Sequence, residues 1–145
     1  MLNTNFWKKF QIASLVLAVL MVFSVNSALA GSEVIDPEEG GTIRICKGLA
    51  LRILPNSFGD DVKEEIVISA YLNEDRDSVN ICFGPSGTVF EKPALLCITW
   101  EAIIKYGIID PFLYSPDGGF VFPEIRNWGL FWRIPHFSIY YFRRR

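Results

Sequence analysis

Between Thr42 and Phe142 the chain is cut into nine short runs rich in β-branched and aromatic residues, none longer than eight residues. They cover 42–46, 50–54, 65–72, 79–83, 95–100, 109–114, 120–122, 130–134 and 137–142. Turn formers such as Gly40-Gly41, Pro55-Asn56, Gly84-Pro85 and Asp117-Gly118-Gly119 punctuate them. Runs this short cannot build helices of ordinary length, and their spacing predicts an all-β, antiparallel sandwich. Alternation supports this over 65–72, where Ile66, Ile68 and Ala70 share one face and Val67, Ser69 and Tyr71 the other. The unbroken Leu95-Leu96-Cys97-Ile98 run predicts a central strand covered on both faces. Only 101–106 suits a helical turn, and Gly107 would end it.

The first thirty residues follow a different rule. Lys8 and Lys9 precede an apolar run over 12–25, and Ala28-Leu29-Ala30 offers small residues where a signal peptidase reads. The run is shorter than the roughly 20 residues of a spanning helix. A cleaved signal peptide over 1–30 is expected, of bacterial style, with the scissile bond between Ala30 and Gly31. No cysteine stands at that site to carry a lipid. Localisation is then secreted or periplasmic, and membrane contact would come only through an uncleaved signal.

Residues 31–40 read as an acidic leader, and 41–145 as one domain. A chain of this size buries about two-thirds of its unfolded surface. Without Lys8 and Lys9 it holds twelve basic and sixteen acidic side chains, a net −4. That balance gives no global reason to expect nucleic acid or anionic lipid as partner. Arg143-Arg144-Arg145 reads as a solvated strand end that protects an edge.

Cys46, Cys82 and Cys97 can form at most one intrachain bond. Ile43 and Ile45 on one segment, and Ile81 on the other, take the core side, so Cys46 and Cys82 share outward parity. A cross-strand Cys46–Cys82 disulfide is therefore the expectation in an oxidising compartment, with Cys97 free. Three half-buried thiols acting as small hydrophobes are the alternative. There is no C-x-x-C pair to suggest redox chemistry or a zinc ribbon.

Two segments carry a family resemblance. Gly84-Pro85-Ser86-Gly87-Thr88-x-Phe90-x-x-Pro93 is a tight turn feeding a strand, with Phe90 dropping into the core and Pro93 opening the strand after it. His136-Phe137-Ser138-x-Tyr140 places the only histidine two residues before a serine, in what reads as the last strand. With the Gly48-Leu49-Ala50-Leu51-Arg52-Ile53-Leu54-Pro55 segment and the Asp117-Gly118-Gly119 hairpin, they resemble the ZU-five domain over residues 41–142. This is the β-sandwich of zonula occludens proteins and netrin receptors, which occurs there in large intracellular chains.

The resemblance implies one chemistry. Some death-domain members of that family cut themselves between the Phe and Ser of His-Phe-Ser. Here the scissile bond would be Phe137–Ser138, with Ser138 Oγ as nucleophile and His136 taking its proton. Such a shift needs a strained peptide. The structural reading of the same residues has Phe137 packed, His136 hydrogen-bonded to a neighbouring strand and Ser138 on the outer face.

Other constellations are weak. One histidine provides neither a His-rich metal site nor a second triad. Asp75-Arg76-Asp77 has calcium-like spacing, but Arg76 opposes a cation. Phe112, Tyr114, Phe120, Phe122, Trp128, Phe131 and Trp132 crowd the last third; they read mostly as core, with an exposed cluster near Asn127-Trp128-Gly129 that docks a partner or a glycan as the alternative. The chain is expected to be an exported, non-catalytic interaction or structural module. Its partner would be a protein or envelope component, with no cofactor, metal or small-molecule substrate evident.

Overall fold

A computed structural model describes residues 29–145. The n-region lysines and the apolar run of the expected signal fall outside them, while Ala30 and Gly31 lie within the first strand. No helix among the described residues is long and apolar enough to cross a membrane.

The chain folds as a sandwich of two antiparallel sheets. One has six strands in the order β1 (Leu29–Ile35), β4 (Ile66–Glu74), β5 (Ser78–Gly84), β11 (Ile139–Arg143), β7 (Leu113–Tyr114) and β8 (Phe120–Val121). The other has five, ordered β2 (Gly41–Cys46), β3 (Leu49–Ile53), β6 (Val89–Thr99), β10 (Gly129–His136) and β9 (Glu124–Arg126). A single topological rule generates this arrangement. The hairpins β2–β3, β4–β5, β7–β8 and β9–β10 stay within one sheet, and each link between hairpins crosses to the other. The core is therefore built from strand faces brought together by six crossovers.

Among the described residues eleven strands replace the expected nine. Most of the stretch read as an acidic leader is structural: β1 pairs with β4 from Leu29↔Leu72 to Ile35↔Ile66, and Ile35 is buried. Glu33 concealed the strand: it takes the inward parity of Ile35, opposite buried Ile68, and an edge strand leaves such a charge exposed to solvent. The turn after it is closed by Gly40 N–H on the Asp36 carbonyl and Glu38 N–H on the Asp36 carboxylate. The other unanticipated strand, β9, is three residues long and mostly exposed.

Alternation along β4 is as expected, with Ile68, Ala70 and Leu72 buried and Val67 and Tyr71 exposed. Strand β6 is indeed the central one of its sheet, but it is fully covered on only one face. Leu96 and Ile98 are buried, whereas Leu95 and Cys97 are half-buried on the outer side. Nor does Pro93 open a strand: it sits within β6, in the irregular stretch between Val89↔His136 and Ala94↔Ile134, where no ladder hydrogen is required of it.

The expected helical turn is α1 (Trp100–Tyr106). Thr99 Oγ1 caps it by accepting from Ala102 N–H at 3.2 Å. Gly107 ends it in the left-handed region at φ 65°, with its N–H reaching the Ile104 carbonyl. The apolar character of this segment follows from its job, since Ala102 and Tyr106 close the core where the chain passes from β6 to β7.

The expected Cys46–Cys82 bond is not formed. All three cysteines are free, and Cys46 and Cys82 belong to opposite sheets. Cys82 keeps its outward parity, but a register shift after Arg44 sets Cys46 opposite buried Leu49 and against the core, which periodicity within a single strand cannot reveal. The Cys46 sulfur instead lies 3.1 Å from the Tyr106 hydroxyl, which donates to it. Cys97 lies on the outer face of the five-stranded sheet, where burial pushes its thiol pKa up, opposed in part by Arg52.

Candidate functional site

The two motifs singled out in the sequence meet at one end of the sandwich, because each occupies a crossover. Gly84 to Thr88 carries the chain from β5 to β6, and Phe137-Ser138 carries it from β10 to β11. Phe137 N–H donates to the Thr88 carbonyl at 2.7 Å, and Val89 stands opposite His136. Phe90 is buried, as expected, and its ring lies 4.9 Å from Phe137 in an edge-on contact. Phe83 stacks on the other side at 5.3 Å. Gly87 takes φ 83° in the turn, the conformation for which its lack of a Cβ suits it.

His136, Phe137 and Ser138 thus do not share the last strand. His136 ends β10, and β11 begins only at Ile139, in the other sheet. The burial pattern gives the reason. Pro135 and His136 both face outward, so the period of two breaks at the register shift, and Phe137 is re-aimed into the core with 2 % exposure. The His136 carbonyl accepts from the Tyr140 hydroxyl at 2.9 Å, which holds the corner. Burial, and then the charge of Asp117, push the Tyr140 pKa up to about 12.

Ser138 is half-buried and opens onto a cleft of about 450 Å³ shared with Ser69, Tyr71, Cys82, Ser86 and Pro116. The His136 ring is exposed, 6.2 Å from the Tyr140 ring. No hydrogen bond joins the imidazole to Ser138 among the described residues, and neither Phe137 nor Ser138 has a positive φ or a cis peptide bond. The corner therefore places a nucleophile and a base two residues apart with no hydrogen bond between them among the described residues.

A second candidate surface lies on the β7–β8 hairpin. Leu113 is buried and Val121 packs against the core, so their neighbours Phe112, Tyr114, Phe120 and Phe122 take outward parity. Phe112, Phe120 and Phe122 form a triangle with centroids 5.3–5.4 Å apart, with Phe120 51 % and Phe122 68 % exposed. Tyr114 continues the cluster towards the sheet by stacking on Tyr141 at 5.3 Å. The rim is fixed by Asp110, which accepts from Phe112 N–H and the Tyr114 hydroxyl, each at 3.1 Å. At the hairpin tip, Asp117 accepts from Ser115 Oγ and from Gly119 N–H. Those two contacts, Ser115 first, hold its carboxyl below the usual range.

The aromatic residues divide in a way that composition could not show. Trp132 is core, fully buried, with its indole N–H on the Pro111 carbonyl. Trp128 and Phe131 belong to the outer face of the five-stranded sheet, separate from the hairpin triangle. The arginine tail is likewise more engaged than expected. Arg143 lies 4.3 Å from the Tyr114 ring centre, and Arg144 pairs with Glu74 at 2.8 Å.

Among the described residues, no group of three or more His, Cys, Asp or Glu is placed to hold a metal ion. Asp75 accepts from the Asn80 amide at 2.7 Å across its own turn. No protein-family model, curated protein or solved structure matches this chain.

Proposed function

We propose that this chain is an exported, non-catalytic interaction module of the cell envelope or extracellular space, built on a ZU-five-like sandwich. The observation that carries the reading is the triangle of half-buried Phe112 with exposed Phe120 and Phe122. Contiguous apolar surface of this kind is costly to leave in water and marks a docking site. The meeting of the Gly84-Pro85 turn with the Phe137 corner supports the resemblance as a feature of the fold. The partner is a protein or another envelope component that covers the triangle.

Capture from an envelope fraction tests this, using the wild-type chain beside a Phe120→Ser/Phe122→Ser variant. The variant keeps Leu113 and Val121, so its fold is retained, and loss of the captured component is expected. An identical set of captured components from both proteins would remove the hairpin as the docking site. Self-cleavage at Phe137–Ser138 is the second reading, favoured by the exposed His136 ring and by the cleft onto which Ser138 opens.

A further inference from the structure

The outer face of the five-stranded sheet is charged oppositely to the molecule as a whole. Residues 31–145 sum to −4. On this face Arg44, Arg52, Arg126 and Arg133 project into solvent from β2, β3, β9 and β10, and Lys47 stands in the β2–β3 turn. Two carboxylates accompany them: Glu124, 2.7 Å from Arg133 and 3.5 Å from Arg126, and Glu101, 3.7 Å from Lys47. The seven groups named sum to +3, against −7 for the rest of the chain, which includes Glu91, exposed farther along β6. Arg44 and Arg52 make no ion pair among the described residues.

Strand register sets the spacing of these groups. Arg52 stands opposite Leu95, and Leu95 opposite Arg133. The two guanidinium groups therefore spring from strands roughly 9.5 Å apart, two interstrand spacings. In the adjoining row Arg44, Ala50, Cys97, Phe131 and Glu124 follow one another across the sheet. Small side chains at Ala50 and Cys97 leave a groove of about 590 Å³ between Arg44, Lys47 and Trp128. Trp128, 43 % exposed, stacks with Phe131 at 6.5 Å, and Phe131 in turn takes Arg126 at 4.9 Å from its ring centre.

The backbone narrows the choice of occupant. Strands β3, β6 and β10 are hydrogen-bonded on both sides, so no peptide can add to this face as a further strand. Recognition falls to the side chains. Guanidinium groups grip carboxylate and phosphate oxygens in pairs, and an open indole packs against the apolar face of a sugar ring.

We propose that this face binds an extended anionic glycan, its carboxylate or phosphate groups held by Arg44, Arg52 and Arg133 and a sugar ring lying on Trp128. The proposal is independent of the aromatic hairpin, which lies in the other sheet. Titration calorimetry of the purified protein tests it, with polygalacturonate and dextran phosphate as the two charged probes and neutral dextran as control. Binding to at least one charged glycan and not to dextran is expected, weakening as salt screens it. Arg44→Ser/Arg52→Ser should lower affinity at least tenfold with an unchanged melting temperature. Trp128→Ala should weaken binding several-fold without altering its salt dependence. Failure of both charged glycans to bind would overturn the proposal, as would undiminished affinity in the double arginine variant. So would polyglutamate binding as tightly as the glycans with Trp128→Ala neutral, which would point to an acidic peptide instead.

Discussion

Phe137 shows how one side chain holds two sheets together. Its ring sits between Phe83 of the six-stranded sheet and Phe90 of the five-stranded sheet, at the point where the chain passes between them. Phe137→Ala leaves a cavity that neither sheet can collapse into alone, and a loss of about 3–5 kcal/mol is expected in denaturant unfolding. Ser138→Ala removes a half-buried hydroxyl without a cavity and should stay within about 0.5 kcal/mol of wild type. The same corner makes a prediction about mass. Purified protein, denatured after long incubation at neutral pH, should give a single intact species in mass spectrometry. Release of Ser138-Ile139-Tyr140-Tyr141-Phe142-Arg143-Arg144-Arg145 with a free serine amine would instead establish self-cleavage. Tyr140 adds a dependence on pH. Tyrosine charges by losing a proton, and the fold raises Tyr140 from its usual value near 10 to about 12. The unfolded chain therefore ionises first. The stability contributed by neutral Tyr140 is complete below about pH 10 and drains away as pH rises towards 12. Unfolding midpoints measured across that window should fall. Tyr140→Phe should flatten the fall in part, leaving the share of Tyr106, whose pKa is also raised, while losing about 1 kcal/mol at neutral pH with the bond to His136.

At the scale of elements, legibility depended on where each element gets its stabilisation. Helix α1 was readable because its end is a local event. Gly107 adopts φ 65° with open space around its missing Cβ, so Gly107→Ala should cost about 1–2 kcal/mol by thermal unfolding from backbone strain alone. The β7–β8 hairpin was readable for the same reason, since Asp117-Gly118-Gly119 act on their own neighbours. Strands β1 and β9 escaped notice because edge pairing, with the unbroken ladder of β4 or β10, holds them in place. Nothing in Glu33-Val34-Ile35 announces that partner. The His136-Phe137-Ser138 corner was misplaced into a strand because a register shift against β6 ends β10 there. A bulge is a property of two strands, and a single run of residues does not encode it.

At the scale of the molecule, the sandwich also decides the fate of the thiols. Cys82 lies in one sheet and Cys46 and Cys97 in the other, none within bonding distance of another. Alkylation under denaturing conditions without reductant should label all three, and an intact mass short by two labels would mean that a bond had formed. Their freedom is thus imposed by geometry and carries no information about compartment. The sequence alone determined the class of fold, the helical turn at 101–106, the turns and the inward position of Phe90, because each rests on local backbone preference or on a period of two; the inward position of Phe137 needed the register shift that ends β10. It also marked the two motifs as worth pairing, without indicating how they touch. Only the tertiary structure decided the assignment of strands to sheets, and with it the crossover role of both motifs, the separation of the cysteines and the gathering of Arg44, Arg52, Arg126 and Arg133 on one face. Those features depend on contacts between residues distant along the chain, and such contacts are set by which hairpin stacks on which.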